Sequence, residues 1–179
     1  MRIAGGRDKG RRIKVSRKGI RPTKALVREA IFNIIRTRIY DAEILDIFAG
    51  SGALGLEAIS RGAKSCVFVE RKPKILHQNI QNFSLMSNTE VIKSDFRAGC
   101  RRMKNKQFDV IFLDPPYNKN YVQKTIDLIS QYNLLKENGI IVAEHCTEEK
   151  FDIPENLSQI KKRAYGDTAV TFISTKIVR

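Results

Sequence analysis

The chain predicts an α/β fold, a doubly wound and mostly parallel sheet with an antiparallel hairpin at its C-terminal edge. Three observations predict it. Short apolar runs alternate with helical segments from Ile44 to Glu144. Two of those runs stop in residues suited to loops that hold ligands, Gly50-Ser51-Gly52 and Asp114-Pro115-Pro116-Tyr117. The C-terminal segment then breaks the rhythm: Gln159 to Tyr165 and Thr168 to Ile177 flank Gly166-Asp167, the composition of a tight hairpin turn.

Each element follows from local chemistry. Arg21-Pro22-Thr23 starts a helix, because Thr23 can cap it and Pro22 prevents an earlier beginning. Ala25, Leu26, Ile31, Phe32, Ile34 and Ile35 supply its apolar stripe, through about Arg38. Ile44 to Phe48 is a short strand. A helix follows the glycines to Ser60, where Arg61-Gly62-Ala63 ends it. Ser65 to Glu70 is a second strand. Lys72 to Phe83 is a helix with Pro73 in its first turn, where a missing N–H costs nothing. Glu90 to Lys93 is a third strand, followed by Ser94-Asp95-Phe96 and a short helix near Arg97 to Met103. Phe108 to Leu113 reads as a buried strand, and Tyr121 to Gln131 as a helix. Asn138-Gly139 turns into the fifth strand, Ile140 to Glu144.

A length of 179 residues is most simply one globular unit with a sizeable core. Within it, composition separates a basic N-terminal arm and helix, residues 1–40, from a Rossmann-like domain, residues 41–179. No apolar run reaches the roughly 18 residues that span a bilayer, and the N-terminus lacks a signal core. Cys66, Cys100 and Cys146 are odd in number and widely spaced, which fits a reducing cytoplasm rather than a disulfide framework. Cys66 and Cys146 are expected in or near the core. His145-Cys146 has no second pair to complete a zinc site, so no metal is expected. The chain is expected to be a cytoplasmic monomer.

The net charge is +14, from 33 Lys+Arg against 19 Asp+Glu. Eleven of the cations, Arg2 to Arg28, crowd the first thirty residues beside only Asp8 and Glu29. Apolar residues there are too sparse for a membrane helix. A solvated tail is the bland reading; a basic stripe of this density is the usual footprint of a phosphate-backbone binder.

Gly50-Ser51-Gly52-Ala53-Leu54-Gly55 fits G-x-G-x-x-G, and Glu70 lies 20 residues beyond Gly50. The pattern alone also suits a dinucleotide, with the acid on the ribose hydroxyls. Glycines allow close backbone approach, and a helix N-terminus attracts negative charge. Asp46 argues against pyrophosphate, which it would repel, and for a sulfonium or amino group. Asp95 at the next strand end could accept an adenine amino group while Phe96 packs on the ring.

Asp114-Pro115-Pro116-Tyr117 discriminates further, since hydride transfer has no use for it. The exocyclic amino nitrogen of a base is a poor nucleophile, because its lone pair is delocalised into the ring. Acceptors on both N–H groups favour the pyramidal geometry that localises it. The Asp114 carboxylate and the Pro115 carbonyl can be those acceptors. Pro115 and Pro116 contribute no competing N–H, and Tyr117 can stack on the base, worth about 1–3 kcal/mol. The base must leave its stack or start in a single-stranded loop. The two strand ends together point to an S-adenosyl-L-methionine-dependent methyltransferase of class I, Rossmann-like architecture.

The chain also resembles a known family, the bacterial 16S ribosomal RNA guanine-N2 methyltransferases that act on the small ribosomal particle. Arg2-Ile3-Ala4-Gly5-Gly6 with Gly10-Arg11, and Arg21-Pro22-Thr23 with Val27-Arg28-Glu29-Ala30-Ile31-Phe32-Asn33, look like its N-terminal signatures. Asp46 to Gly52, Glu57-Ala58 with Ser60-Arg61-Gly62-Ala63, Val69-Glu70, and Asp114 to Tyr117 follow in order. The resemblance covers nearly the whole chain. It implies methyl transfer to the N2 amino group of one guanine in 16S rRNA, with the assembling 30S subunit as partner. It places Asp46, Phe48, Gly50, Ser51, Gly52, Glu70, Arg71, Asp95 and Phe96 on the cofactor. It puts Asp114, Pro115, Pro116 and Tyr117 on the base, and Arg7, Arg11, Arg12, Arg21, Thr23 and Arg28 toward RNA.

Four rivals remain. An adenine-N6 methyltransferase acting on DNA or RNA shares the tetrapeptide, but sequence-specific DNA enzymes usually carry a target-recognition region for which this chain has no room. A protein-amide methyltransferase tends to carry Asn first in the tetrapeptide. A non-catalytic RNA-binding protein of the same fold leaves Asp114 and the glycines unexplained. A nicotinamide oxidoreductase comes last.

Overall fold

The computed structural model, which describes residues 1–15, 23–117 and 119–176, sets the apolar runs side by side. The strands are β1 (Glu43–Ile47), β2 (Ser65–Glu70), β3 (Thr89–Lys93), β4 (Phe108–Leu113), β5 (Leu135–Cys146), β6 (Leu157–Tyr165) and β7 (Thr168–Thr175). The sheet order is β3-β2-β1-β4-β5-β7-β6. Strands β1 to β5 pair in parallel, while β7 is antiparallel to both β5 and β6. The helices are α1 (Thr23–Ile34), α2 (Ala53–Ser60), α3 (Lys74–Asn82), α4 (Phe96–Arg102) and α5 (Tyr121–Gln131). The fold class expected from the sequence is therefore the one formed.

Alternation within each strand buries both faces of the sheet. Ile44, Val110, Phe112 and Val142 pack beneath Phe32 of α1, Leu56 of α2 and Leu76 of α3. Leu45, Ile47, Ile111 and Leu113 pack against Cys100 of α4 and Val122, Ile126 and Ile129 of α5. Because β1 leads outward to β2 and β3 on one side, and β4 leads to β5 on the other, the winding reverses between β1 and β4. Open α/β sheets bind ligands in the crevice at that reversal.

Two regions depart from the expected pattern. The fifth strand begins at Leu135, not Ile140, because the ladder with β4 shifts register between Phe108 and Val110. Asn138-Gly139 is absorbed there, with Asn138 at φ 60°. The second departure is at the N-terminus. Residues 1–15 form a small hairpin joined by a bridge between Arg2 and Arg12. Ile3 and Ile13, 2% and 1% exposed, enter the same core as Phe32 and Phe68. Only charged residues, glycines and one alanine lie between the two isoleucines, so no apolar periodicity announced them. Among the described residues, no helix is long and apolar enough to cross a membrane.

Candidate active site

A cleft of about 700 Å³ opens where the winding reverses, at the carboxyl ends of β1, β2, β3 and β4. Its size suits a small-molecule ligand. Of the residues expected on cofactor or base, Phe48, Gly50, Glu70, Arg71, Asp95, Phe96, Asp114, Pro115, Pro116 and Tyr117 line it.

One part of the cleft is built by the loop after β1. Phe48 adopts a left-handed conformation, φ 68°, costly for an aromatic residue. The turn puts its ring near Phe96, centroids 5.1 Å apart, and in a stack with Tyr121 at 5.8 Å. These three rings form an apolar wall of the cleft. Glu70 ends β2, and its oxygens accept from the Gly50 N–H at 2.9 Å and the Lys72 N–H at 2.8 Å. A carboxylate has about four acceptor positions, so Glu70 retains capacity for hydroxyl donors. Asp95 caps α4 by accepting from the N–H groups of Arg97 and Ala98 through Oδ1. Its position at the end of β3 follows from that cap.

Three expected cofactor residues do not reach the cleft. Asp46 is 2% exposed and faces α2, where Oδ2 accepts from the Gly55 N–H at 3.0 Å. Burial pushes its carboxyl up to about 7, against the stabilising Gly55 N–H and with the charges of Asp114 and Glu70 adding to the rise. A side chain one residue inside the strand points to the helix-covered face, where Asp46 ties the start of α2 to β1. Ser51 gives its carbonyl to the Asn79 side-chain amide at 2.9 Å. Gly52, at φ 82°, is required by packing: a Cβ there would lie 2.5 Å from Leu76 Cδ1.

Another part of the cleft stands on β4. Asp114 follows the last strand residue directly and lies half-buried in the cleft lining. Pro115 is buried and Pro116 exposed. The Tyr117 hydroxyl lies 3.3 Å from Glu144 Oε1, to which it donates, and 2.9 Å from Thr168 Oγ1. Both partners are on the antiparallel part of the sheet and are 6% exposed. Sequence reasoning missed this anchor, and it also missed Ser94, Arg97, Lys119 and Tyr121 in the cleft lining. Only Arg97 left a signal, as the basic residue beside Phe96, over whose ring its guanidinium sits at 4.6 Å.

The expected RNA residues divide. Arg7, Arg11 and Arg12 are exposed on the N-terminal hairpin. Arg11 is also tied to Asp8 at 2.5 Å and lies over Phe83 at 4.3 Å. Arg28 corrects the expectation: it is 5% exposed, with Nε 3.4 Å from Glu57 Oε2 and Nη2 donating to the Arg2 carbonyl at 2.6 Å. Burial lowers its pKa from the usual arginine value, opposed by the Glu57 charge. The helical stripe points that arginine inward. Arg21 and the Thr23 side chain lie outside the described residues.

Cys66, Cys100 and His145 are buried away from the cleft. Burial pushes the Cys100 thiol up to about 12 and the Cys66 thiol well above its ordinary value. His145 has Nδ1 2.7 Å from the Cys146 carbonyl and Nε2 2.8 Å from Thr171 Oγ1. An open depression of about 510 Å³ at the opposite sheet edge is lined by Glu43, Ser65, Cys66, Glu90 and Lys106 among others, with Glu90 paired to Lys106 and Glu43 to Lys64.

A Rossmann-like sheet with this cleft defines the class I methyltransferase architecture. The chain belongs to the family described as conserved hypothetical protein 95, which matches residues 1–174, and to its ribosomal RNA small subunit methyltransferase D group. It is 37% identical over 172 residues to ribosomal RNA small subunit methyltransferase D of Haemophilus influenzae, covering 93% of this chain and 89% of that one. To the protein of the same name from Escherichia coli K12 it is 34% identical over 173 residues, covering 94% and 87%. The solved structure of Escherichia coli yhhF superposes with a TM-score of 0.90 at 32% identity, covering 98% of each chain. The Thermus thermophilus 16S rRNA N2 G1207 methyltransferase RsmC, solved with AdoMet and guanosine, shares the fold at TM-score 0.68 and 20% identity, over 90% of this chain and 45% of that one.

Proposed function

We propose that this protein transfers a methyl group from S-adenosyl-L-methionine to the exocyclic N2 amino group of one guanine in 16S rRNA. Membership of a family whose members are named small-subunit rRNA methyltransferases supports the rRNA substrate. The observation that carries the reading is the shared cleft: Glu70, the Asp114-Pro115 turn and the Phe48, Phe96 and Tyr121 rings all line it.

The residues present fit the cofactor. Glu70 would accept from ribose hydroxyls, Phe48 and Phe96, in contact with each other at 5.1 Å, would border an adenine ring on one side, and Asp95 would receive its amino group. The cofactor, when bound, supplies an electrophilic methyl group. The protein then has three tasks. It orients the amino nitrogen toward that methyl group, it excludes water, and it keeps the nitrogen lone pair localised. The Asp114 carboxylate and the Pro115 carbonyl accept from the two N–H groups. Tyr117, held by Glu144 and Thr168, fixes the end of the turn and offers a ring to the base. Proton loss follows methyl transfer, so Asp114 need not be a strong base.

The exposed cations of residues 1–15 extend the substrate site to the RNA backbone. We take an assembling 30S particle in the cytoplasm as the setting, with the enzyme acting as a monomer. An adenine-N6 substrate would use the same two acceptors, and no further observation favours it.

The test is labelled methyl transfer to undermethylated 30S particles, naked 16S RNA and duplex DNA, followed by nucleoside identification. N2-methylguanosine from the ribosomal substrates alone is expected. N6-methyladenosine from any of the three contradicts the proposal.

A further inference from the structure

The motif Glu57-Ala58 with Ser60-Arg61-Gly62-Ala63 touches neither side of the cleft, and yet Glu57 and Ser60 are buried. Glu57 is fully buried on α2. Its Oε2 accepts from the Ala4 N–H at 2.8 Å, and its Oε1 accepts from the Gly5 N–H at 2.8 Å and from Arg61 Nε at 2.8 Å. Arg28 of α1 closes the arrangement, with Nε 3.4 Å from Glu57 and Nη2 on the Arg2 carbonyl. One turn further along α2, Ser60 Oγ donates to the Gly5 carbonyl at 2.6 Å and accepts from the Asp8 N–H at 3.0 Å. The Ser60 carbonyl accepts from the Arg7 N–H at 2.8 Å. The fit leaves no space: a Cβ on Gly6, whose φ is 78°, would lie 1.9 Å from the Ser60 carbonyl oxygen.

The other end of the hairpin is fastened too. Asn79 of α3 is fully buried. Its amide nitrogen donates to the carbonyls of Lys14 and Ser51, both at 2.9 Å, and its oxygen accepts from the Lys14 N–H at 2.9 Å. Ser51 belongs to the loop that begins α2. The hairpin is thus bolted at Ser60, where α2 ends, and beside Ser51, where α2 begins, about 12 Å apart for eight helical residues. Its outward side carries Arg2, Arg7, Lys9, Arg12 and Lys14, all exposed. Cations held at fixed spacing on a rigid support bind phosphates without first losing the freedom of a loose tail.

We infer that Glu57, Ser60 and Arg28 are positioning residues for RNA: they clamp the N-terminal hairpin to α2 so that its cations form a fixed phosphate track starting beside the cofactor loop. This deepens the proposed function and rests on the RNA-facing reading of the hairpin. A loose tail of the same charge would attract RNA but would lose its conformational freedom on binding and so hold it more weakly.

The test uses the full chain with unmodified 16S RNA and three variants. Arg7→Ala with Arg12→Ala removes charge and leaves the clamp. Gly6→Ala forces the hairpin off α2 without touching a buried charge. Glu57→Gln replaces an acceptor by an amide N–H facing backbone donors. If Glu57→Gln does not fold, Gly6→Ala carries the test. Hydrogen exchange at the Arg7, Asp8 and Lys14 amides, which bond Ser60 and Asn79, reports undocking, and KM for RNA, kcat and cofactor affinity are measured for each. Gly6→Ala and Glu57→Gln are expected to exchange faster, to raise the RNA KM by about tenfold, equivalent to about 1.4 kcal/mol, and to keep kcat and cofactor affinity within about twofold. Faster exchange with an unchanged RNA KM, while the arginine variant raises it, overturns the clamp's role. Slow exchange in both clamp variants, or a parallel loss of cofactor affinity, also overturns it. An arginine variant with unaltered RNA KM removes the RNA-facing reading itself, and the inference with it.

Discussion

Asp46 and Asp114 are two acids at neighbouring strand ends, and the structure gives them opposite fates. Asp46 sits inside β1, alternates toward α2, and is sealed with its carboxyl raised to about 7. Asp114 sits one residue past the end of β4 and lines the cleft. The difference is a matter of register. Within a strand, alternation chooses the face and a helix covers it; just past the strand, the backbone is still held by the sheet but no helix covers the side chain. An acid of the first kind shapes a loop, and an acid of the second kind can meet a ligand.

Replacing each acid separates the two roles. Asp114→Asn is expected to have the largest effect, a loss of at least about a hundredfold in methyl transfer, the scale seen when one preorganised polar contact to a reacting group is removed. Its cofactor affinity, read by calorimetry, should stay close to that of the parent. Equal turnover would erase the distinction between the acids.

Glu70→Ala should come next. A hydrogen bond to a charged group is worth about 1.5–3 kcal/mol, so cofactor affinity should fall by about tenfold to a hundredfold. Calorimetry that finds no loss takes Glu70 out of the site.

Asp46→Asn should have the smallest effect on methyl transfer and a distinct effect on stability. The folded state holds the Asp46 proton up to about pH 7, while the unfolded chain releases it near the ordinary value of 3.8. Between those values the native state binds more protons, so this residue makes stability fall as pH rises, with no further change above the folded pKa. Urea unfolding at about pH 5 and about pH 8 should show that component in the parent and lose it in Asp46→Asn. A pH dependence identical in both proteins would mean that Asp46 ionises as freely folded as unfolded.

The same contrast explains what could be read from the residues. Parallel strands buried on both faces leave continuous apolar runs, so Ser65–Glu70 and Phe108–Leu113 have the bounds expected of them, as does the amphipathic helix Tyr121–Gln131. Residues at or just beyond strand ends, Glu70, Asp95 and Asp114, were legible because a strand end marks the cleft in this architecture. Orientation was less legible. Arg28, buried against Glu57, is set apart from the exposed Arg7 and Arg12 only by its place on the apolar stripe of α1 beside Ile31, Phe32 and Ile35. Tyr117 depends on Glu144 and Thr168, 27 and 51 residues away, and the N-terminal hairpin depends on α2, more than fifty residues away. Such partners are chosen by tertiary packing, and sequence spacing carries no trace of them.

The most direct measurement is a crystal structure of the protein with S-adenosylhomocysteine and a guanosine nucleotide. The ribose hydroxyls are expected on Glu70, and the guanine N2 within hydrogen-bond distance of both the Asp114 carboxylate and the Pro115 carbonyl. A guanine bound with N2 turned away from that pair, or a cofactor lodged outside the Glu70 side of the cleft, would contradict it.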